Sequence, residues 1–192
     1  VGGGTPILEF AKKCLIGDKI NEMQGILNGT TNYILTEMAE KKVPFKKALE
    51  SAQKLGYAET DPSMDIDGID TAAKVVIIGN WVMNKKFTLK DVKISGIRNI
   101  KLEALENASK KGKRIKLIGS INGKPTVALK DIHKNNPLCV SNVLNAVTFF
   151  SEYAGRQTII GRGAGGIETA SAVLRDLLDI KYNLANKMIM AG

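Results

Sequence analysis

The chain has 192 residues and 28 Lys plus Arg against 19 Asp plus Glu, a formal net charge of +9. With 44% hydrophobic and 24% charged residues, its composition is that of a folded globular chain and excludes disordered, collagen-like and low-complexity classes. Two cysteines, Cys14 and Cys139, rule out a disulfide scaffold and fit a reducing, cytoplasmic setting. The single histidine, His133, removes most metal and triad chemistry, and no apolar run approaches the roughly 20 residues of a membrane span.

In chain order, Val1-Gly2-Gly3-Gly4-Thr5-Pro6 is a glycine loop without the charged and apolar regions of a signal peptide, and it reads as the start of a fragment. Ile7, Phe10, Ala11 and Cys14 recur at helical spacing over Pro6–Leu15. Lys19–Leu27 reads as a strand, followed by a helix carrying Tyr33, Ile34, Leu35 and Met38 with Thr30 or Thr31 as its cap. A helix from Pro44 to Leu55 stops at Gly56, residues 57–67 form an acidic loop, and Ile69–Met83 is a helix apolar on several sides and hence expected to be buried. Strands are expected at 92–97, 113–121, 125–132, 144–151 and 156–160, with Asn122-Gly123 as the strongest hairpin signal. Helices are expected over Leu102–Lys111 and from Ile167 onward. No repeat or long linker divides the chain, so residues 1–192 are read as one α+β domain, an antiparallel or mixed β-sheet covered by helices on one face.

Three segments carry possible chemistry. Glu59, Asp61, Asp65, Asp67 and Asp70 place five carboxylates in twelve positions of a net-basic chain, which suits either a cationic ligand or the capping of the helix that follows. A calcium loop does not fit, because Gly68 comes too early and no glutamate occupies the twelfth position. Asp70 and Lys74, four apart, share one helix face, so that Lys74 is either a paired ion or a functional amine able to donate a proton. Gly161-Arg162-Gly163-Ala164-Gly165-Gly166 lies between a strand and a helix; it suits close approach to a cofactor or anion, or simply tight packing, and no second strand follows to complete a dinucleotide-binding unit. The lysines are scattered and aromatics make up 5%, so a solvated surface is read in preference to a nucleic-acid platform.

Gly25-Ile26-Leu27-Asn28-Gly29-Thr30-Thr31-Asn32-Tyr33-Ile34-Leu35, then Gly56-Tyr57-Ala58-Glu59-Thr60-Asp61-Pro62 with Asp65, Gly68, Asp70 and Lys74, resemble the catalytic domain of homoserine dehydrogenase, and the likeness extends through Gly161–Asp176. The resemblance implies an NAD(P)-dependent interconversion of aspartate semialdehyde and homoserine by a homodimer acting on a small amino-acid substrate, with no nucleic acid and no membrane. It implies Lys74 as proton donor; Glu59 and Asp70 as substrate-holding acids; Asp65, Tyr57, Gly29 and Thr30 as supporting pocket residues; and Gly163, Ala164 and Gly165 facing the nicotinamide. It also implies a monovalent cation such as sodium on the carbonyls of Val1, Gly3 and Thr5, although the family's glutamate three residues before Val1 and its nucleotide-binding domain lie outside this sequence. A stand-alone amino-acid-binding or scaffold module is the alternative.

Overall fold

After α1 (Ile7–Glu9), which continues as a π-turn over Phe10–Cys14, the chain enters β1 (Ile20–Ile26) and then α2 (Gly29–Lys41) and α3 (Phe45–Lys54). The short α4 (Ser63–Ile66) precedes α5 (Ile69–Val82), β2 (Lys93–Ile94) and α6 (Leu102–Lys110). Four strands follow, β3 (Lys113–Asn122), β4 (Lys124–His133), β5 (Leu144–Ser151) and β6 (Arg156–Arg162), before α7 (Gly166–Met190). The computed structural model describes the backbone of residues 1–190 and the side chains of residues 1–183.

The strands form one mixed sheet in the order β2-β4-β3-β1-β5-β6. All pairings are antiparallel except β2 with β4. Gly123, at φ +69°, makes the tight β3–β4 hairpin. Side chains alternate between sheet faces, and the register sorts them. Met23, Leu117, Ile121, Val127, Val147 and Phe149 fall on one face and pack against α1, α2, α5 and α6 in the main core. Ile26, Ile118, Ile132 and Ala146 fall on the other, where the segment around Leu138–Val140 makes a small second cluster. The helices thus cover one face. The opposite face is largely polar, with Ser120 paired to Thr126 at 2.9 Å and Thr148 to Thr158 at 2.8 Å. At Gly119 a Cβ would lie 2.6 Å from Val75 Cγ2, so the glycine lets α5 close onto the sheet.

Several expectations change. The first helix is a short α-turn continued by a π-turn. Cys14, at helical spacing with Ile7, Phe10 and Ala11, is exposed. The acidic loop contains α4, and the strand expected over 92–97 has only two residues: the Ser95 N–H makes a last bond to the Val127 carbonyl of β4, and the chain then turns so that the Ile97 N–H bonds the Ile66 carbonyl. α5 is not buried all round: Thr71, Ala72, Val75, Ile78 and Gly79 face inward, while Trp81 is exposed with the Lys12 ammonium 3.8 Å from its ring centroid. The cap of α2 is Asn28, whose side chain accepts from the Thr31 N–H.

α7 is oriented against its own amphipathicity. Glu168, Ala172, Arg175 and Asp179, spaced along one stripe, are its less exposed residues, and Asp179 pairs with Lys13 at 2.9 Å. Ile167, Val173, Leu174 and Leu177 are 86%, 55%, 58% and 58% exposed.

Lys116 is 3% exposed, its ammonium donating to Asn32 Oδ1 at 2.8 Å and Thr36 Oγ1 at 3.2 Å. Burial, with Arg114 nearby, lowers its pKa to about 8, opposed by Cys139 and Glu40. Between that value and the ordinary 10.5 the unfolded chain holds more protons, so stability contributed by this group rises with pH across that window. The melting temperature of the native chain minus that of Lys116→Met should therefore increase from pH 7 to pH 10; a flat difference would remove the linkage.

Candidate active site

The site is assembled at the end of β1. Asn28 follows the strand in extended conformation and turns its side chain back to begin α2: its Oδ1 accepts from the Thr31 N–H at 2.8 Å and from Thr31 Oγ1 at 2.9 Å. That orients the amide nitrogen outward. Asn28 Nδ2 donates to Asp65 Oδ1 at 2.7 Å and to Asp70 Oδ2 at 2.9 Å. The two carboxylates arrive together because Gly68, at φ +85°, reverses the chain between α4 and α5. One helical turn beyond Asp70, Lys74 Nζ donates to Asp70 Oδ2 at 2.7 Å and to the Leu27 carbonyl at 2.9 Å. An ammonium has three donors, and these contacts leave one for the cleft that Lys74 lines. The Lys74 side chain is 27% exposed, which makes it an accessible amine rather than a sealed ion.

A strap closes one rim. Thr30 Oγ1 donates to the Tyr57 carbonyl at 2.7 Å, the Tyr57 ring leans on Tyr33 at a centroid distance of 5.0 Å, and Gln53 Nε2 holds the carbonyls of Glu59 and Thr60 at 3.1 and 3.3 Å. Glu59 is thereby presented, exposed, at the mouth of the cleft. Uncharged side chains or glycine backbone make up further lining, at Gly2, Gly3, Val143, Asn145 and Gly163 to Gly165. The N-terminal loop and the glycine loop interlock there, with the Gly4 N–H donating to the Gly163 carbonyl at 3.3 Å, and a Cβ on Gly3 would collide with that same carbonyl.

The cleft has a volume of about 630 Å³. It gathers Lys74, Asp70, Asp65, Glu59, Tyr57, Gly29, Thr30, Gly163, Ala164, Gly165, Val1 and Gly3. Thr5 stands apart: it is buried, its Oγ1 donates to the Arg162 carbonyl at 3.0 Å, and its own carbonyl accepts from the Ile7 N–H at 2.8 Å. Among the described residues no cluster of three or more His, Cys, Asp or Glu side chains is placed to hold a metal. Sequence reasoning passed over Asn28 and Asn145. For Asn28 the signal was available, since an asparagine directly before Gly29 is as good a cap as the threonines that follow. Asn145, inside a strand, carried none.

A homoserine dehydrogenase family model matches residues 6–178. The chain belongs to the homoserine dehydrogenase family. It is 50% identical over 188 residues to a homoserine dehydrogenase of Methanocaldococcus jannaschii, covering 97% of this chain and 56% of that protein. It is 40% identical over 194 residues to an NAD(+)-dependent homoserine dehydrogenase of Pseudomonas canavaninivorans, covering 97% of this chain and 55% of that one. Among solved structures, a homoserine dehydrogenase from Thiobacillus denitrificans superposes with a TM-score of 0.89 at 36% identity, over 94% of this chain and 43% of that chain. A hyperthermophilic archaeal homoserine dehydrogenase in complex with NADPH superposes with a TM-score of 0.82 at 31% identity, over 95% of this chain and 54% of that chain. The chain thus spans about half the length of the curated relatives it matches. Homoserine dehydrogenases are oxidoreductases, and the α+β sheet with its helical layer is the family's fold.

Asn28 has two separable roles, the cap and the carboxylate bridge. Asn28→Ser keeps a capping oxygen and loses the bridge, whereas Asn28→Ala loses both, so Ala should be less stable than Ser by about 1 kcal/mol in urea unfolding. Equal stabilities would remove the cap assignment.

Proposed function

We propose that this chain forms the substrate-binding and proton-transferring half of an NAD(P)-dependent homoserine dehydrogenase that interconverts L-aspartate 4-semialdehyde and L-homoserine in the cytoplasm, serving threonine and methionine biosynthesis. The observation that carries the reading is the gathering, in one cleft, of the Lys74–Asp70–Asn28–Asp65 cluster and the glycine-rich segments around Gly3 and Gly163. An amino-acid substrate brings an ammonium, which suits the exposed carboxylate of Glu59 with Tyr57, Gly29 and Thr30 around it. Reduction of its aldehyde builds negative charge on oxygen, which suits the unused N–H of Lys74 as the proton source, the same amine taking the proton back in the reverse direction. Asp70 accepts from that amine and keeps it aimed. Asp65, tied to Asn28, supports the same carboxylate pair.

A nicotinamide suits the part of the cleft lined by Gly163, Ala164 and Gly165, where side chains are absent or small and Gly165 precedes the N-terminus of α7. When bound, it supplies the hydride. Gly163, Ala164 and Gly165 would hold its ring. A monovalent cation such as sodium would take the carbonyls of Val1, Gly3 and Thr5, the last sharing its oxygen with the Ile7 N–H.

We infer further that residues 1–192 act as one unit for substrate binding and dimerisation. The helix-free face of the sheet suits a second copy, and the exposed apolar stripe of α7 suits the portion that relatives carry beyond this region. On this reading the purified 192-residue chain should show no NAD(P)H-dependent reduction of aspartate semialdehyde and should scatter light as a dimer at micromolar concentration. Measurable turnover, or a monomer, would count against the respective part.

In a chain restored to the length of its relatives, Lys74→Ala should lower kcat by roughly 10²–10⁴. The Lys74–Asp70 pair is part-exposed, so the melting temperature should move little. Glu59→Gln should instead raise KM and leave kcat within a few-fold, because its contact with the substrate ammonium is common to ground and transition states. A Lys74→Ala enzyme with normal kcat would sink the assignment of the proton donor.

A further inference from the structure

The chain reversal at Ile66, Asp67 and Gly68, which brings Asp65 and Asp70 together, is gripped by a second segment. Residues 95–98 leave β2 alongside β4, where the Ser95 N–H donates to the Val127 carbonyl at 2.8 Å, and the Ile97 N–H then donates to the Ile66 carbonyl at 2.7 Å. Ile66 and Ile97 are both buried, so this bond ties the reversal to the core. Gly96 lies flat against the reversal: a Cβ there would collide with the Ile66 carbonyl and the Asp67 backbone. Arg98 then closes the grip with a charged fork. Its Nε donates to Asp67 Oδ1 at 2.8 Å and its Nη2 to Asp67 Oδ2 at 2.7 Å.

We infer that Arg98 and Asp67 are positioning residues for the proton-transferring amine: their ion pair fixes the reversal, the reversal sets Asp65 and Asp70 on the Asn28 amide, and Asp70 aims Lys74. This rests on the dehydrogenase reading above. The pair is poorly suited to be a stability device. Its side chains are 51% and 38% exposed, and an ion pair so open to water adds little to stability. What it supplies is geometry, because a planar guanidinium that meets a carboxylate through two parallel bonds fixes orientation as well as distance. Asp67 stands two residues after Asp65 and three before Asp70, so a rotation of its backbone carries both carboxylates with it. Neither Arg98 nor Asp67 lines the cleft; they border a separate shallow pocket with Ser95, Asn99 and Leu129. Glu59 hangs on a different support, the strap held by Thr30 and Gln53. Loosening the grip therefore disturbs the aim of Lys74 and leaves the ammonium contact of the substrate in place.

The test is steady-state homoserine oxidation by the chain restored to its relatives' length, comparing the native form with Arg98→Ala, Asp67→Ala, the double variant and Arg98→Lys. Each alanine variant should lower kcat about tenfold, less than the hundredfold that a misplacement of about 1 Å can cost. The KM for homoserine should stay within about twofold, and the melting temperature should fall by no more than about 4 °C. The double variant should lose no more kcat than either single one, since both act through one contact. Arg98→Lys keeps the charge without the fork and should recover only part of the loss. Unchanged kcat in the single variants, losses that multiply in the double variant, a change confined to KM, full recovery in Arg98→Lys, or a kcat loss matched by a loss of folded protein would overturn the inference. A native protein without dehydrogenase activity fails at the dehydrogenase reading, and the inference falls with it; an active native enzyme with indifferent variants fails the inference alone.

Discussion

One asparagine amide between two carboxylates holds the candidate site together. Asp65 and Asp70 come from opposite sides of a chain reversal, and two like charges converging on one point would repel each other. Asn28 offers each a hydrogen bond from the same nitrogen, and its own orientation is fixed by the helix it starts. Asp70 in turn accepts from Lys74, whose remaining anchor is the carbonyl of Leu27, the residue next to Asn28. The end of β1, the first turn of α2 and the first turns of α5 are therefore one polar unit. A change to any of them shifts the others.

This unit explains why the helices gather on one face of the sheet. α2 must start where β1 ends for its cap to serve, and α5 must lie against β3 and β4 for Lys74 to reach back to Leu27. Gly119 permits that approach by removing the side chain that Val75 would meet. The opposite face pairs Ser120 with Thr126 and Thr148 with Thr158, and the segment around Leu138 and Val140 rests on it. Lys116 marks the boundary between the two layers. Its amine reaches Asn32 and Thr36 of α2, and Asn32 also holds the carbonyls of Val140 and Leu144.

Much of this was legible in the residues. The β3–β4 hairpin followed from Asn122-Gly123, and the Asp70–Lys74 pair from helical spacing. The acid segment and the glycine loop were recognisable as site-forming, though nothing in their spacing said that they would line one cleft. The misses share a physical cause: they depend on what lies outside the segment. α5 is apolar on several sides, yet only one stripe meets the sheet, so its burial was overestimated from composition. Asn145 sits in a strand whose alternation reads simply as in or out, and its place beside the cleft is a tertiary fact. β2 shrank to two residues because the chain turns after Ser95 to bond Ile66. Asn28 was hidden by two equally plausible caps beside it.

The inverted helix α7 carries one more consequence. Its groove of Ala170, Val173, Leu174 and Leu177 begins at Ala164 and Gly165, two residues that also line the cleft. A helix that turns charged and small residues inward and leucines outward draws little of its cohesion from the body beneath it. The glycine loop that lines the cleft and the outward-facing leucines thus belong to one continuous stretch of chain, so a segment covering the leucines would act on the helix that this loop opens.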